Sequence, residues 1–248
     1  MTLYMNKYKQ NIVIPCYDTD ASWRLKPTSF MNYAQEIAGV HATHLGFGYD
    51  DLITSKTAWI LSRVYIEFPD APLWREEMTL TTWHKGLNRI FFLRDFVMTD
   101  KDGNERVKAT SSWLVMNLET RRLVRDPKLM DEDTVCSENV IGTPADKVQF
   151  PKDSAPVHVM DHVVSYSDID MNGHTNNAMY MHWAMDAVEY EVASAMPVRS
   201  LTINFNHETK AGEKVELYRV TVESEDGRHV FVEGKVGDTS AFCVEIVF

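Results

Sequence analysis

Ser167-Asp168-Ile169-Asp170-Met171-Asn172-Gly173-His174-Thr175-Asn176-Asn177-Ala178-Met179-Tyr180 is the stretch that decides the fold of this 248-residue chain, because its front end occurs twice. Asp18-Thr19-Asp20-Ala21 stands 150 positions before Asp168-Ile169-Asp170-Met171 (18 to 168), and the correspondence continues without a gap. Phe30 falls on Tyr180, Met31 on Met181, Tyr33 on Trp183, Ala34 on Ala184 and Glu36 on Asp186. A repeat of that period is too long for a solenoid and fits a duplicated domain. The copies differ in chemistry: Arg24, Lys26 and Pro27 take the places of His174, Asn176 and Asn177.

Outward from each copy the pattern changes from helical to alternating. After a first helix (about Thr28 to Leu45) come strand-like runs at Thr57–Phe68, Met78–His84, Ile90–Met98 and Lys108–Leu118. After a second (about Asn177 to Ala195) come Leu201–Phe205, Lys214–Glu223, Val230–Val236 and Ala241–Phe248. Asp102-Gly103 and Asp226-Gly227 sit at matching hairpin turns. Each half therefore reads as strand, helix, then antiparallel meander, an α+β pattern. The second helix is apolar nearly all round from Ala178 to Val188, so a sheet wrapped about a buried central helix is expected. Glu119 to Val157 is polar and weakly periodic, with a short helix around Asp131–Glu138. It reads as a surface crossover between domains, far longer than the usual connection of ~4–6 residues. The expected boundaries are 1–125, a linker at 126–156, and 157–248.

Composition narrows the function. An apolar fraction of 44% and a charged fraction of 25% are ordinary for a soluble globular protein. No apolar run reaches the ~18 residues of a membrane span, and the first residues lack a signal-peptide core, so a cytoplasmic location is expected. The net charge of −11 argues against nucleic acid. Two basic runs, Arg121/Arg122/Arg125/Lys128 and Lys85/Arg89/Arg94, read as solvated faces before docking patches. Cys16, Cys136 and Cys243 lack disulfide or zinc spacing. His41/His44 and His158/His162 lack further ligands at zinc spacing, and there is no phosphate loop or serine-hydrolase elbow. No metal and no cofactor are expected.

The chemistry concentrates where the repeat began. Asp170, Asn172 and His174 alternate, and Asn176 and Asn177 open the apolar helix. A carboxylate, a carboxamide, an imidazole and a helix N-terminus at one point suit polarising a carbonyl and moving a proton. Asp168 and Asp170 also suit turn residues holding loop amides, and Asn176 or Asn177 an N-cap.

Asp170, Asn172, His174, Asn176, Asn177, Tyr180 and Trp183 together resemble the signature of acyl-ACP thioesterases, over almost the whole chain. Tyr17-Asp18-Thr19-Asp20 and Ala58-Trp59-Ile60-Leu61-Ser62-Arg63 fit as well. The resemblance implies tandem hotdog domains and hydrolysis of fatty acyl-ACP. The partner it implies is an acyl carrier protein bearing a 4'-phosphopantetheine-linked chain. It also implies a second acidic group about thirty positions on, which matches Glu208. Where many plant members carry Cys after that Glu, this chain has Thr209, a poor nucleophile without a neighbouring base. The expected catalytic set is then Asp170, Asn172, His174 and Glu208, working on a water or on the thioester directly. Glu208 is the expected base, a nucleophilic role staying open, and His174 orients the water or donates to the carbonyl oxygen or the leaving sulfur. Backbone N–H groups near Asn176, Asn177 and Ala178 are expected to complete an oxyanion hole. Met31, Ala34, Met181 and Met185 are the expected acyl-chain pocket. An acyl-CoA thioesterase and a non-catalytic acyl-chain or carrier-binding module are the competing readings; oligomeric state, a homodimer included, is not legible.

Overall fold

The computed structural model describes residues 6–124, 132–152 and 154–248. Among them ten strands form one antiparallel sheet. The first half gives β1 (Tyr8–Val13), β2 (Thr57–Glu67), β3 (Glu77–Asn88), β4 (Phe91–Thr99) and β5 (Glu105–Asn117). The second gives β6 (Val157–Val163), β7 (Ser200–Phe205), β8 (Lys214–Ser224), β9 (Gly227–Val236) and β10 (Thr239–Val247). The order β1-β3-β4-β5-β2-β7-β10-β9-β8-β6 reads the same from either edge once each strand is matched to its counterpart. The similar runs Val64–Phe68 and Leu201–Phe205 meet at the centre: β2 pairs antiparallel with β7, Val64 against Ile203.

The repeat is reproduced position by position around the helix starts. Single 3-10 turns occupy Cys16–Asp18 and Tyr166–Asp168, and the bridges Thr19–Leu25 and Ile169–Thr175 follow. Helices α1 (Pro27–His44) and α3 (Asn177–Asp186) begin 150 residues apart (27 to 177). They pack together on one face of the sheet, sharing a core that draws on both halves, from Phe30 and Ile37 to Met181 and Trp183. This is a double hotdog: one sheet curled around two central helices. In the first copy Arg24 holds Asp20 at 3.0 Å and donates to the Ser194 carbonyl at 3.1 Å. The residue standing in place of His174 thus helps tie the halves together.

Three expectations need correction. The second helix does not run to Ala195. It stops at Asp186 and α4 (Tyr190–Ala195) follows, while α2 (Tyr49–Thr54) trails α1. Neither Gly nor Pro marks the break. Arg219 on β8 donates to the Ala187 carbonyl at 2.7 Å and pairs with Glu189, satisfying the open helix end from outside.

The connection between the halves is also more than a surface crossing. Its 3-10 turn at Glu132–Thr134 falls within the expected helical stretch, although Asp131 lies outside the described residues. Residues 132–148 then strap the outer sheet face, with Cys136, Ile141, Ala145 and Val148 buried. Trp83 donates to the Glu138 carbonyl at 2.8 Å, and Val140 N–H donates to Asp95 at 2.9 Å. Val148 N–H donates to Asn204 Oδ1 at 2.6 Å. A cleft of about 510 Å³ separates the strap from Tyr65, Glu67, Thr202 and Glu245.

Of the Lys85/Arg89/Arg94 run only Arg89 is exposed as a solvated face would be. Lys85 is buried under the strap against Asp95 at 3.0 Å. Arg94 is buried beneath α1, contacting His41 Nδ1 at 2.9 Å and donating to Thr82 at 3.2 Å, and burial pulls its guanidinium down to about 10. Arg125 and Lys128 of the other run lie outside the described residues. Among the described residues no helix is long and apolar enough to cross a membrane.

Candidate active site

The loop before α3 is built on a buried carboxylate. Ser165 donates to Asp168 Oδ2 from its N–H at 2.7 Å and from its hydroxyl at 3.1 Å, and His162 Nε2 lies 2.9 Å away. Burial works to raise the Asp168 carboxyl, but the bonds from Ser165 and His162 outweigh it and hold it below the usual carboxylate range. Asp168 thus anchors the loop. Asp170 then shapes a tight turn. Its carbonyl accepts from Gly173 N–H at 3.0 Å, its own N–H donates to the His174 carbonyl at 3.0 Å, and its Oδ1 accepts from Asn172 N–H at 2.8 Å. The turn needs a φ of +76° at residue 173, which glycine adopts without a Cβ clash. Asn172 is left exposed, its amide nitrogen a long 3.4 Å from Asp170 Oδ2.

The loop brings His174 to Glu208, with Nδ1 and Oε2 3.3 Å apart. Nδ1 is buried and has no aligned hydrogen-bond partner, so the contact is a close approach by distance and not a hydrogen bond by angle. The side chain as a whole is 41% exposed, which makes the Nε2 edge its open side.

Glu208 is positioned by its neighbours. Beyond β7 the N–H groups of Asn206 and His207 both donate to the Ala241 carbonyl, at 2.8 and 3.0 Å. Thr209 is wholly buried: its N–H donates to Tyr180 Oη at 2.9 Å, and its hydroxyl lies 2.7 Å from Thr175 Oγ1 and 3.0 Å from Tyr180 Oη. Burial pushes the Tyr180 phenol up, keeping it a neutral hydrogen-bonding group. The Thr209 hydroxyl is therefore committed to structure, with no imidazole or carboxylate to activate it. The other Glu208 oxygen, Oε1, accepts from Arg121 Nη2 at 3.2 Å. Sequence reasoning placed Arg121 only in a basic run, because nothing in the sequence marks a contact spanning 87 residues.

At the start of α3, Asn176 caps the helix: its Oδ1 accepts from Ala178 N–H at 2.9 Å and from Gln35 Nε2 at 2.8 Å. The cap takes the Ala178 amide and the Asn176 N–H donates to the Asp168 carbonyl at 2.8 Å, so both residues leave the expected oxyanion set. Asn177, the first residue of α3, stays partly exposed. Gln35 also lines a narrow apolar slot between α1 and strands β2, β4 and β5, with Met31, Ala34, Phe96 and Trp113 among its walls. Met181 and Met185, expected in that pocket, do not line it. Met181 is fully buried in the core between the helices and the sheet, and Met185 packs against that core. Free space in the slot is about 10 Å³, room for roughly one water, so a guest chain must displace its walls. Among the described residues no group of His, Cys, Asp and Glu has the arrangement of a metal site. His158 and His162 face Asp161 and Asp168 instead.

Fold and site together define a double-hotdog protein whose His174–Glu208 centre lies in its second copy. The model of the acyl-ACP thioesterase N-terminal domain matches residues 5–132, and that of the C-terminal domain residues 152–243. The chain belongs to the acyl-ACP thioesterase family. It is 26% identical to the chloroplastic oleoyl-acyl carrier protein thioesterase of Coriandrum sativum, over 94% of this chain and 68% of that protein. It is 25% identical to oleoyl-acyl carrier protein thioesterase 1 of Arabidopsis thaliana, over 89% and 65%. It thus spans about two thirds of the length of these relatives. A crystal structure of an acyl-ACP thioesterase from Bacteroides thetaiotaomicron superposes with a TM-score of 0.86 at 26% identity, covering 98% of this chain and 97% of that one. The 12:0-ACP thioesterase of Umbellularia californica shares the fold, with a TM-score of 0.84 at 19% identity over 100% and 99%.

Proposed function

We propose that this chain hydrolyses the thioester of fatty acyl-ACP, releasing free fatty acid and holo-ACP. The observation that carries the reading is the approach of His174 Nδ1 to Glu208 Oε2 beside the start of α3. A carboxylate facing Nδ1 favours the neutral tautomer protonated there, leaving the Nε2 lone pair on the open edge for a water proton. In this reading His174 is the base, in place of the Glu208 base expected from the sequence, and Glu208 favours that tautomer and stabilises the imidazolium.

Water attacks the thioester carbon as His174 takes its proton. The tetrahedral oxyanion meets the Asn172 amide and the positive end of α3 at Asn177. Collapse breaks the carbon–sulfur bond, and the imidazolium returns the proton to the departing pantetheine sulfur. Asp170 sets the turn that aims both Asn172 and His174. The acyl tail enters the slot beside Met31 and Ala34, with Gln35 joining that slot to the Asn176 cap.

Thiol release from matched acyl-ACP and acyl-CoA, across a panel of chain lengths, tests the reading. Hydrolysis favouring acyl-ACP at one chain length or more supports it. A strong preference for CoA overturns the carrier assignment, and an intact substrate of both kinds after prolonged incubation overturns the enzymatic one.

A further inference from the structure

We propose that Arg121, from the first half of the molecule, is a positioning residue for the reaction centre in the second. The proposal rests on the Proposed function, since it assigns to Arg121 the task of aiming Glu208 at His174. A glutamate side chain has three rotatable bonds, and each must be fixed for the carboxylate to face an imidazole. The neighbours of Glu208 fix only its backbone. Among the described residues its side chain meets two groups: His174 Nδ1, 3.3 Å from Oε2, and Arg121, 3.2 Å from Oε1. The guanidinium thus takes the oxygen that the imidazole does not use, and turns the other toward the ring.

The turn that presents Arg121 is specifically built. Asn117, at the end of β5, accepts with Oδ1 from the N–H groups of Glu119 and Thr120 at 3.1 and 2.8 Å, and from the Thr120 hydroxyl at 3.0 Å. Asn117 N–H donates to the Arg122 carbonyl at 2.9 Å, and its own carbonyl accepts from Arg121 N–H at 2.9 Å. This geometry puts Arg121 in the left-handed region, with φ of +56°, a conformation uncommon for a residue with a Cβ and held here by the surrounding bonds. Lys56 secures the same turn through Glu119 at 2.6 Å. The Arg121 side chain itself is 62% exposed, and an ion pair so open to solvent contributes little to folding. Its effect belongs in the rate.

A double-mutant cycle in the full chain tests this, using the acyl-ACP that the unmodified protein turns over fastest. Arg121→Ala is expected to fold with unchanged melting behaviour and to lower kcat ~10–100-fold with KM within about twofold, as for a misaimed catalytic group. Arg121→Lys, which keeps the charge without the planar fork, recovers part of that loss. In a Glu208→Gln background Arg121→Ala costs nothing further, because the group it acts through is gone. A rise in KM at constant kcat, or losses that multiply in the double variant, overturns the proposal and makes Arg121 a substrate contact or an independent contributor. A fully active Arg121→Ala overturns it outright. If Glu208→Gln alone is fully active, the underlying site assignment fails, which is a separate result.

Discussion

Asp168, which the sequence offers as a turn residue, is an architectural carboxylate of the loop. It belongs to the repeated motif, yet its carboxylate is spent on Ser165 and His162 inside the loop, and its counterpart Asp18 accepts from Tyr33 in the copy without the imidazole. Since Asp168 has a lowered pKa when folded, its contribution to stability is fully present above the unfolded carboxylate value of about 3.9 and disappears as pH falls through the lower folded value. Asp168→Asn should therefore melt several degrees below the unmodified protein at neutral pH, at roughly 2–4 °C per kcal/mol. The gap should close below about pH 4. Melting curves across pH measure this, and a gap that persists undiminished into strong acid would refute the account of the loop. The paired motif, the helix start and the histidine of the candidate site were legible because they are local. The Thr175–Tyr180–Thr209 lock and Arg121 were not, because their partners come from distant positions.

Element by element, sequence was most informative where periodicity met a turn signal and least where an outside group intervened. The meander strands and both Asp-Gly hairpins stand within a few residues of expectation. The end of α3 was not legible, since the group that closes it is Arg219 on another strand. The strap was misread for a related reason. Its polarity suits a solvated loop, but its backbone amides are claimed by Asp95 and Asn204 on the outer sheet face. Asp95 is fully buried and holds Lys85 as well as the amides of Val140 and Ile141. Asp95→Ala leaves a buried ammonium and strap amides unpaired, and should cost about 3–5 kcal/mol of unfolding free energy. Replacing the pair together, Lys85→Met with Asp95→Leu, should recover part of that loss. Denaturant titration gives both numbers. A loss below about 1 kcal/mol in the single variant would mean that the pair does not hold the strap.

At the scale of the molecule, duplication explains why one centre draws on both halves. The β2–β7 seam makes one sheet, the α1–α3 contact makes one core, and the polar links Gln35–Asn176 and Arg121–Glu208 cross between copies. The first copy lacks the imidazole; Arg24 stands there as a tie between the halves, and α1 walls the slot proposed for the tail. The division of labour was visible in the sequence as a motif intact in one copy only. That the apolar slot lies in the other half was not, since Met181 and Met185 read as well for a pocket as for a core.

The central claim is that His174 and Glu208 act together on the thioester while Thr209 only supports them. Its most direct measurement is kcat/KM for acyl-ACP in Glu208→Gln, His174→Ala and Thr209→Ala, each with the fold checked by circular dichroism. The first two should fall by about 10²-fold or more. Thr209→Ala should keep near-normal turnover while losing about 1–2 kcal/mol of stability from the broken hydroxyl contacts. A folded Glu208→Gln or His174→Ala working at the unmodified rate, or a folded Thr209→Ala that is inactive, would contradict it.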